Sequence, residues 1–261
     1  MLNRWMGYAL ASTALLASAG AHAARDFTPQ AGTWIVSEEL DGKPGRGLAI
    51  DVQGNTFFMQ VFGYEKNGDA TFYTATGQMD GNTVTAPLMR YQGGRSFGSD
   101  ARDAVEDGSP GAVTVSFANG LQGTVQFPGE QAVAMQRFQM MSADFADAYW
   151  SKGRPRIFWV TALDTALQPK WQAQLRLGKG YASGKWELII GGGSEAGQRM
   201  GCERLSDRDT FNCTSDAAQT DGYRDLGVRE LQLQIADADV SGTVRESAQN
   251  GVQTSTLMGI T

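Results

Sequence analysis

The sequence contains one histidine, His22, and two cysteines, Cys202 and Cys213, in 261 residues. His22 lies in a leader-like segment, so the chain after Ala23 has none. Catalysis of the Ser-His-Asp or Cys-His kind, histidine metal sites and a histidine proton shuttle are thereby excluded from it. Charge is also sparse, at 19% of residues, with 22 basic against 28 acidic side chains. A mildly acidic protein is poorly suited to phosphate backbones or anionic lipid, so no nucleic-acid partner is expected. Prolines number only 7, whereas glycines number 33, as in a turn-rich β protein and unlike a disordered or coiled-coil composition.

No apolar run is long enough to suggest a spanning helix. The longest, Met6 to Gly20, follows the single charge of Arg4 and leads into Ala21-His22-Ala23. A short, alanine-rich apolar run before an A-x-A site reads as a secretory signal peptide over residues 1–23. It is too short and too rich in alanine to span a bilayer comfortably. The expected mature protein is periplasmic or secreted, with no membrane span, and carries 21 basic against 28 acidic residues. In that oxidising setting Cys202 and Cys213, with ten residues between them, are expected to form a disulfide closing a hairpin.

From Gly32 onward apolar and polar residues alternate with a period of two, broken by turn residues, which predicts strands. The first half carries eight, over 33–38, 46–53, 56–65, 70–77, 83–91, 112–118, 122–127 and 131–139. Gly54-Asn55, Asn67-Gly68, Asp80-Gly81-Asn82 and Asn119-Gly120 supply turn residues that accept positive φ. Successive hairpins make a meander, and eight strands can close into a barrel that leaves no exposed edge. The strand at 56–65 is apolar on both faces, with Phe57, Met59 and Val61 on one and Phe58, Phe62 and Tyr64 on the other. The second half of the chain or another subunit is expected to cover its outer face. Residues 92–111 lack periodicity and read as either a lid or a disordered loop, disorder being favoured.

A short helix is expected at 142–150, within a linker over residues 140–153. The second half again reads as strands, over 156–163, 170–177, 184–191, 198–204, 209–214, 228–236, 240–246 and 251–260. The expectation is therefore an all-β protein, with an eight-stranded antiparallel meander barrel or curled sheet over residues 31–139 and a second β domain over 154–261. Val113-Thr114-Val115, Gly123-Thr124-Val125 and Met135 parallel Leu231-Gln232-Leu233, Gly242-Thr243-Val244 and Met258, the pattern of either an internal duplication or two ordinary pairs of hairpins.

Gly32-Thr33-Trp34, Gly45-Arg46-Gly47-Leu48, Gly54-Asn55-Thr56, Tyr64, Gly68, Phe72-Tyr73 and Gly77 form an ordered series. Residues 31–138 thus resemble a β-rich module of many exported bacterial proteins of unknown function. The chain departs from that pattern at Ile35, where a second aromatic is common, and at Phe72, where tryptophan is common. The opening Gly-x-Trp is also similar to that of lipocalin and avidin barrels. The resemblance implies a β-rich extracytoplasmic module and no particular activity.

The aromatic set Trp34, Phe58, Phe62, Tyr64, Phe72, Tyr73 and Tyr91 suits either an apolar ligand cavity within the barrel or its packed core. Trp159, Trp171 and Trp186 are expected in the core of the second half. Glu38, Glu39 and Asp41 read as a solvated loop, the alternative being a carboxylate of a glycan hydrolase. Asp237-Ala238-Asp239-Val240-Ser241-Gly242 begins like a calcium loop, but the closing acid is replaced by Ala248. No cofactor, metal or catalytic residue is expected. The leading expectation is a non-enzymatic binding module for a small apolar molecule, a glycan or an envelope protein. A structural or protein-interaction element of the cell envelope is the alternative, and a carboxylate-based glycan hydrolase the second.

Overall fold

The computed structural model describes residues 25, 27–140, 155–180, 183–191, 197–206, 209–215, 225–249 and 251–260. The leader expected at 1–23 and the helix expected at 142–150 lie outside them. Among the described residues no helix is long and apolar enough to cross a membrane.

The first unit comprises β1 (Gly32–Val36), β2 (Gly47–Gln53), β3 (Thr56–Tyr64), β4 (Ala70–Gln78), β5 (Thr83–Gln92), β6 (Val105–Glu106), β7 (Gly111–Phe117), β8 (Gln122–Gln126) and β9 (Val133–Arg137). A single 3-10 turn, Ser37–Glu39, follows β1. The strands pair antiparallel in chain order, except that β7 pairs with β5 and not with β6, and β1 pairs with β9, placing Trp34 opposite Arg137. The seam between β4 and β5, where Tyr73 faces Arg90, completes the ring. Eight strands thus form a closed barrel, and β6 lies outside it as an annex to β5.

The annex corrects the expectation of disorder at 92–111. β7 meets β5 only as far as Leu88, which leaves the ladder groups of the last residues of β5 open. The loop turns back to fill them, with Tyr91 opposite Glu106 and Gln92 opposite Val105. Arg90 fastens it through Asp107 at 2.6 Å and reaches Glu65 at 3.1 Å.

The second unit comprises β10 (Arg156–Leu163), β11 (Pro169–Lys179), β12 (Trp186–Ile190), β13 (Gln198–Arg204), β14 (Thr210–Ser215), β15 (Val228–Ala236), β16 (Asp239–Ala248) and β17 (Gly251–Ile260). They form a second closed antiparallel barrel in simple chain order, closed by β17 on β10. Cys202 and Cys213 are cross-strand neighbours on β13 and β14, with Cα atoms 4.0 Å apart, and form a disulfide.

Strand alternation fills both interiors. Trp34, Phe57, Met59, Val115 and Val125 are buried in the first barrel, and Phe158, Leu175, Leu188, Leu233 and Val244 in the second. Apolar side chains therefore point inward, the reverse of an outer-membrane barrel, whose lumen is polar and whose outer band is apolar.

The turns follow the expected chemistry at Gly54, Gly68 and Gly81, each at positive φ. Asn119-Gly120 departs from it. Here the Asn119 Oδ1 accepts hydrogen bonds from the backbone N–H groups of Leu121 and Gln122, and Gly120 is not at positive φ. Its lack of a side chain serves another purpose, because a Cβ on Gly120 would lie 2.0 Å from Ser241 Oγ of the second barrel.

That approach is one part of the junction between the barrels. Gln30, just before β1, donates from its backbone N–H to the Gly120 carbonyl and accepts from Trp34 Nε1, both at 3.0 Å. Its Nε2 donates across to the Gln234 carbonyl and to Ser241 Oγ. Arg137 adds an ion pair to Asp239 at 3.6 Å. One buried glutamine thus couples the Trp34 plug of the first barrel to two strands of the second.

Candidate functional site

Apolar side chains fill both interiors, and one ligand-sized space lies between the barrels. A cleft of about 670 Å³ separates the end of the first barrel from the outer wall of the second. On one side stand Arg25, residues 28–31 and the β2–β3 hairpin at Asp51–Gly54. Phe27 holds this leading segment in place by packing into the core of the first barrel.

The opposite side is the closing seam of the second barrel. Register places Ile260 of β17 between Asp239 of β16 and Trp159 of β10, and in the next outward row Met258 between Ser241 and Thr161. Trp159, Ile260 and Met258 are 61%, 60% and 43% exposed, and all three line the cleft. Exposed apolar side chains gathered on one wall make a surface whose burial by a ligand would be favourable, at about 25 cal/mol per Å².

The seven aromatic residues singled out from sequence do not assemble into one site. Trp34 is fully buried and meets the Phe117 ring edge-on at 5.4 Å, so it belongs to the core. Tyr73 packs partly against the same cluster. Phe58, Phe62, Tyr64 and Phe72 point outward and are exposed, with Phe62 directly opposite Phe72 across β3 and β4. Tyr91 pairs with the β6 annex. An aromatic ligand cavity inside the first barrel is therefore not formed, because alternation sends these side chains to opposite faces.

In the second half Trp186 meets the Phe211 ring at 5.1 Å, and Trp171 packs on the core while its Nε1 donates to Glu246 at 2.8 Å. Trp159 corrects the expectation of a core role. Phe158, Val160 and Ala162 occupy the inward positions of β10, which leaves Trp159 outside.

Two of the three acids after β1, Glu39 and Asp41, are held by cations. Glu39 accepts hydrogen bonds from the Arg46 backbone N–H at 2.7 Å, Nε at 2.8 Å and Nη2 at 2.6 Å, and Arg46 continues to Glu130. Burial alone would raise the Glu39 carboxyl, but the hydrogen bonds and charge of Arg46 outweigh it and hold the group below its ordinary value. A carboxyl so held is a poor proton donor, contrary to what a glycosidase acid needs. Asp41 pairs with Lys43 at 3.8 Å. Asp237 accepts from the Met140 N–H, and no cluster suited to a metal ion occurs among the described residues.

Sequence reasoning missed Arg25, Thr28, Met258 and Ile260. The first two precede the strand pattern and carry no motif, and the others look like ordinary strand residues until the barrel closes. Arg25 is only 6% exposed, and its Nη2 donates to the Gly54 carbonyl at 2.5 Å. Burial pushes its guanidinium below the ordinary arginine value.

Fold and site together define a tandem of two closed up-and-down β-barrels with a ligand-sized cleft at their junction. The sequence matches no known protein family and no curated protein.

Proposed function

We propose that the protein is a non-enzymatic binding protein of the periplasm or extracellular space that takes a small, largely apolar molecule in the inter-barrel cleft. The observation that carries this reading is the apolar wall of Trp159, Met258 and Ile260 facing a cleft of about 670 Å³, while both interiors are full. That volume falls in the range of small-molecule sites. Export is supported by the leader-like segment, and the resemblance of residues 31–138 to exported β-rich modules agrees with it.

Titration with 1-aminoanthracene, a neutral apolar fluorophore, tests the reading. Saturable one-to-one binding is expected, and Met258→Arg, which places a charge on the exposed wall, abolishes it without lowering the unfolding temperature. Binding that does not saturate, or that survives Met258→Arg unchanged, would sink the proposal.

The outward face of β3 and β4 favours a second reading, an envelope interaction element. Phe58, Phe62, Tyr64 and Phe72 together expose an aromatic surface of the kind that partners or glycans cover.

A further inference from the structure

Among the described residues no counter-charge meets the buried cation of Arg25. Its Nε and Nη1 have no hydrogen-bond partner, and only Nη2 is satisfied, by a neutral carbonyl. Buried charges are ordinarily paired, because desolvating an isolated ion costs several kcal/mol. The same wall carries two further unsatisfied groups, Thr28 Oγ1, a hydroxyl able to donate, and Gln30 Oε1, an acceptor held by a side chain whose Nε2 is already engaged across the junction. All three residues line the cleft whose other wall is Trp159, Met258 and Ile260. Unsatisfied donors thus share one cleft with an unsatisfied apolar surface.

We propose that the cleft binds a single-chain amphiphile bearing a carboxylate head, with Arg25 as the counter-charge, Thr28 as a second donor and the β10–β17 seam as the seat of the apolar chain. This rests on the cleft being the binding site, and adds the chemical class of its ligand. A monoanion fits better than a phosphate monoester. The cleft offers a single unpaired cation and also carries Asp51 and Asp239, which would repel a second negative charge. Asp239 is engaged by Arg137, and Asp51 accepts from Gln53 Nε2 at 2.7 Å, so neither carboxylate neutralises Arg25.

The test compares dansyl-undecanoate with its methyl ester on the full chain, by fluorescence titration. The two probes share the chain and the fluorophore and differ in head charge. The carboxylate is expected to bind about tenfold tighter or more than the ester, the scale of one charge-assisted hydrogen bond. Arg25→Met, which keeps the length and removes the charge, should bring the two probes within about twofold by weakening the carboxylate alone. Arg25→Lys should restore part of the preference. Equal binding of both probes by the unaltered protein, or a carboxylate preference that persists in Arg25→Met, overturns the anchor and leaves the apolar cleft standing. If neither probe binds and 1-aminoanthracene also fails, the cleft itself is not the site. If Arg25→Met unfolds the protein, Arg25→Gln, which removes the charge and keeps a hydrogen-bonding side chain, serves in its place, and an unchanged carboxylate preference there overturns the proposal.

Discussion

Gly123 and Gly242 occupy the same place in their two barrels. Each sits in the seventh strand of its ring, opposite the sixth-strand residues Phe117 and Leu233 and the eighth-strand residues Met135 and Leu257. A Cβ on Gly123 would lie 2.4 Å from the Ser116 carbonyl oxygen, and one on Gly242 1.9 Å from that of Gln232. Two residues on, Val125 and Val244 are both fully buried. The parallel visible in sequence is thus a structural one, with its register adjusted. Val115 and Leu231 correspond, and the partner of Met135 is Leu257, while Met258 faces outward.

Gly123→Ala and Gly242→Ala are each expected to destabilise by about 2 kcal/mol or more, since a methyl group placed against backbone cannot be relieved by a rotamer change. Urea unfolding followed by intrinsic fluorescence measures this. A shift of the midpoint within error for both would show that the close approaches are not structurally required.

Gly120→Val is expected to separate the barrels rather than unfold them. The added side chain strikes Ser241 Oγ across the junction, where the Gln30 bridge also ends. Small-angle scattering should show a larger radius of gyration, and the cleft should lose the neutral fluorophore. An unchanged radius would mean that the junction tolerates the bulk.

Stability should fall with acid partly through Glu39. Its folded-state carboxyl lies below its ordinary value of 4.5, where it stands in the unfolded chain. The Arg46 contact therefore contributes fully above that value and is lost as the pH falls through the lower, folded one. Glu39→Gln should be less stable than the unaltered protein at neutral pH, and the gap should close on acidification through that window. A gap independent of pH would remove Glu39 from the acid response.

Phe62→Ser combined with Phe72→Ser is expected to cost less than about 1 kcal/mol, the scale of one cross-strand pair on a solvent face. Phe57→Ala, on the opposite face of β3, removes a fully buried ring and should cost about 3–5 kcal/mol. Equal losses in chemical unfolding would place the outward aromatics in a covered interface.

Reduction of the Cys202–Cys213 disulfide should cost roughly 2.5–3 kcal/mol, from the chain entropy of so short a loop. Comparison with a Cys202→Ala, Cys213→Ala variant in thermal unfolding checks it. A variant as stable as the oxidised protein would show the link to be dispensable.

Most strands could be read from local sequence, because a period of two and turn residues at hairpin tips are short-range properties. The interval of apolar residues at Phe57, Met59 and Val61 follows directly from alternation on one face. The disulfide partners were likewise determined, since only two cysteines exist and both lie on consecutive strands. What alternation cannot supply is the choice of face when both are apolar. In β10, Phe158 and Trp159 are equivalent by pattern, and only closure against β17 turned Phe158 inward and left Trp159 on the cleft wall. The β6 annex, the Gln30 bridge and the burial of Arg25 likewise depend on segments far apart in sequence meeting in space. Local sequence therefore determined the strands and their turns, while ring closure and the junction of two barrels decided where the cleft lies and which side chains face it.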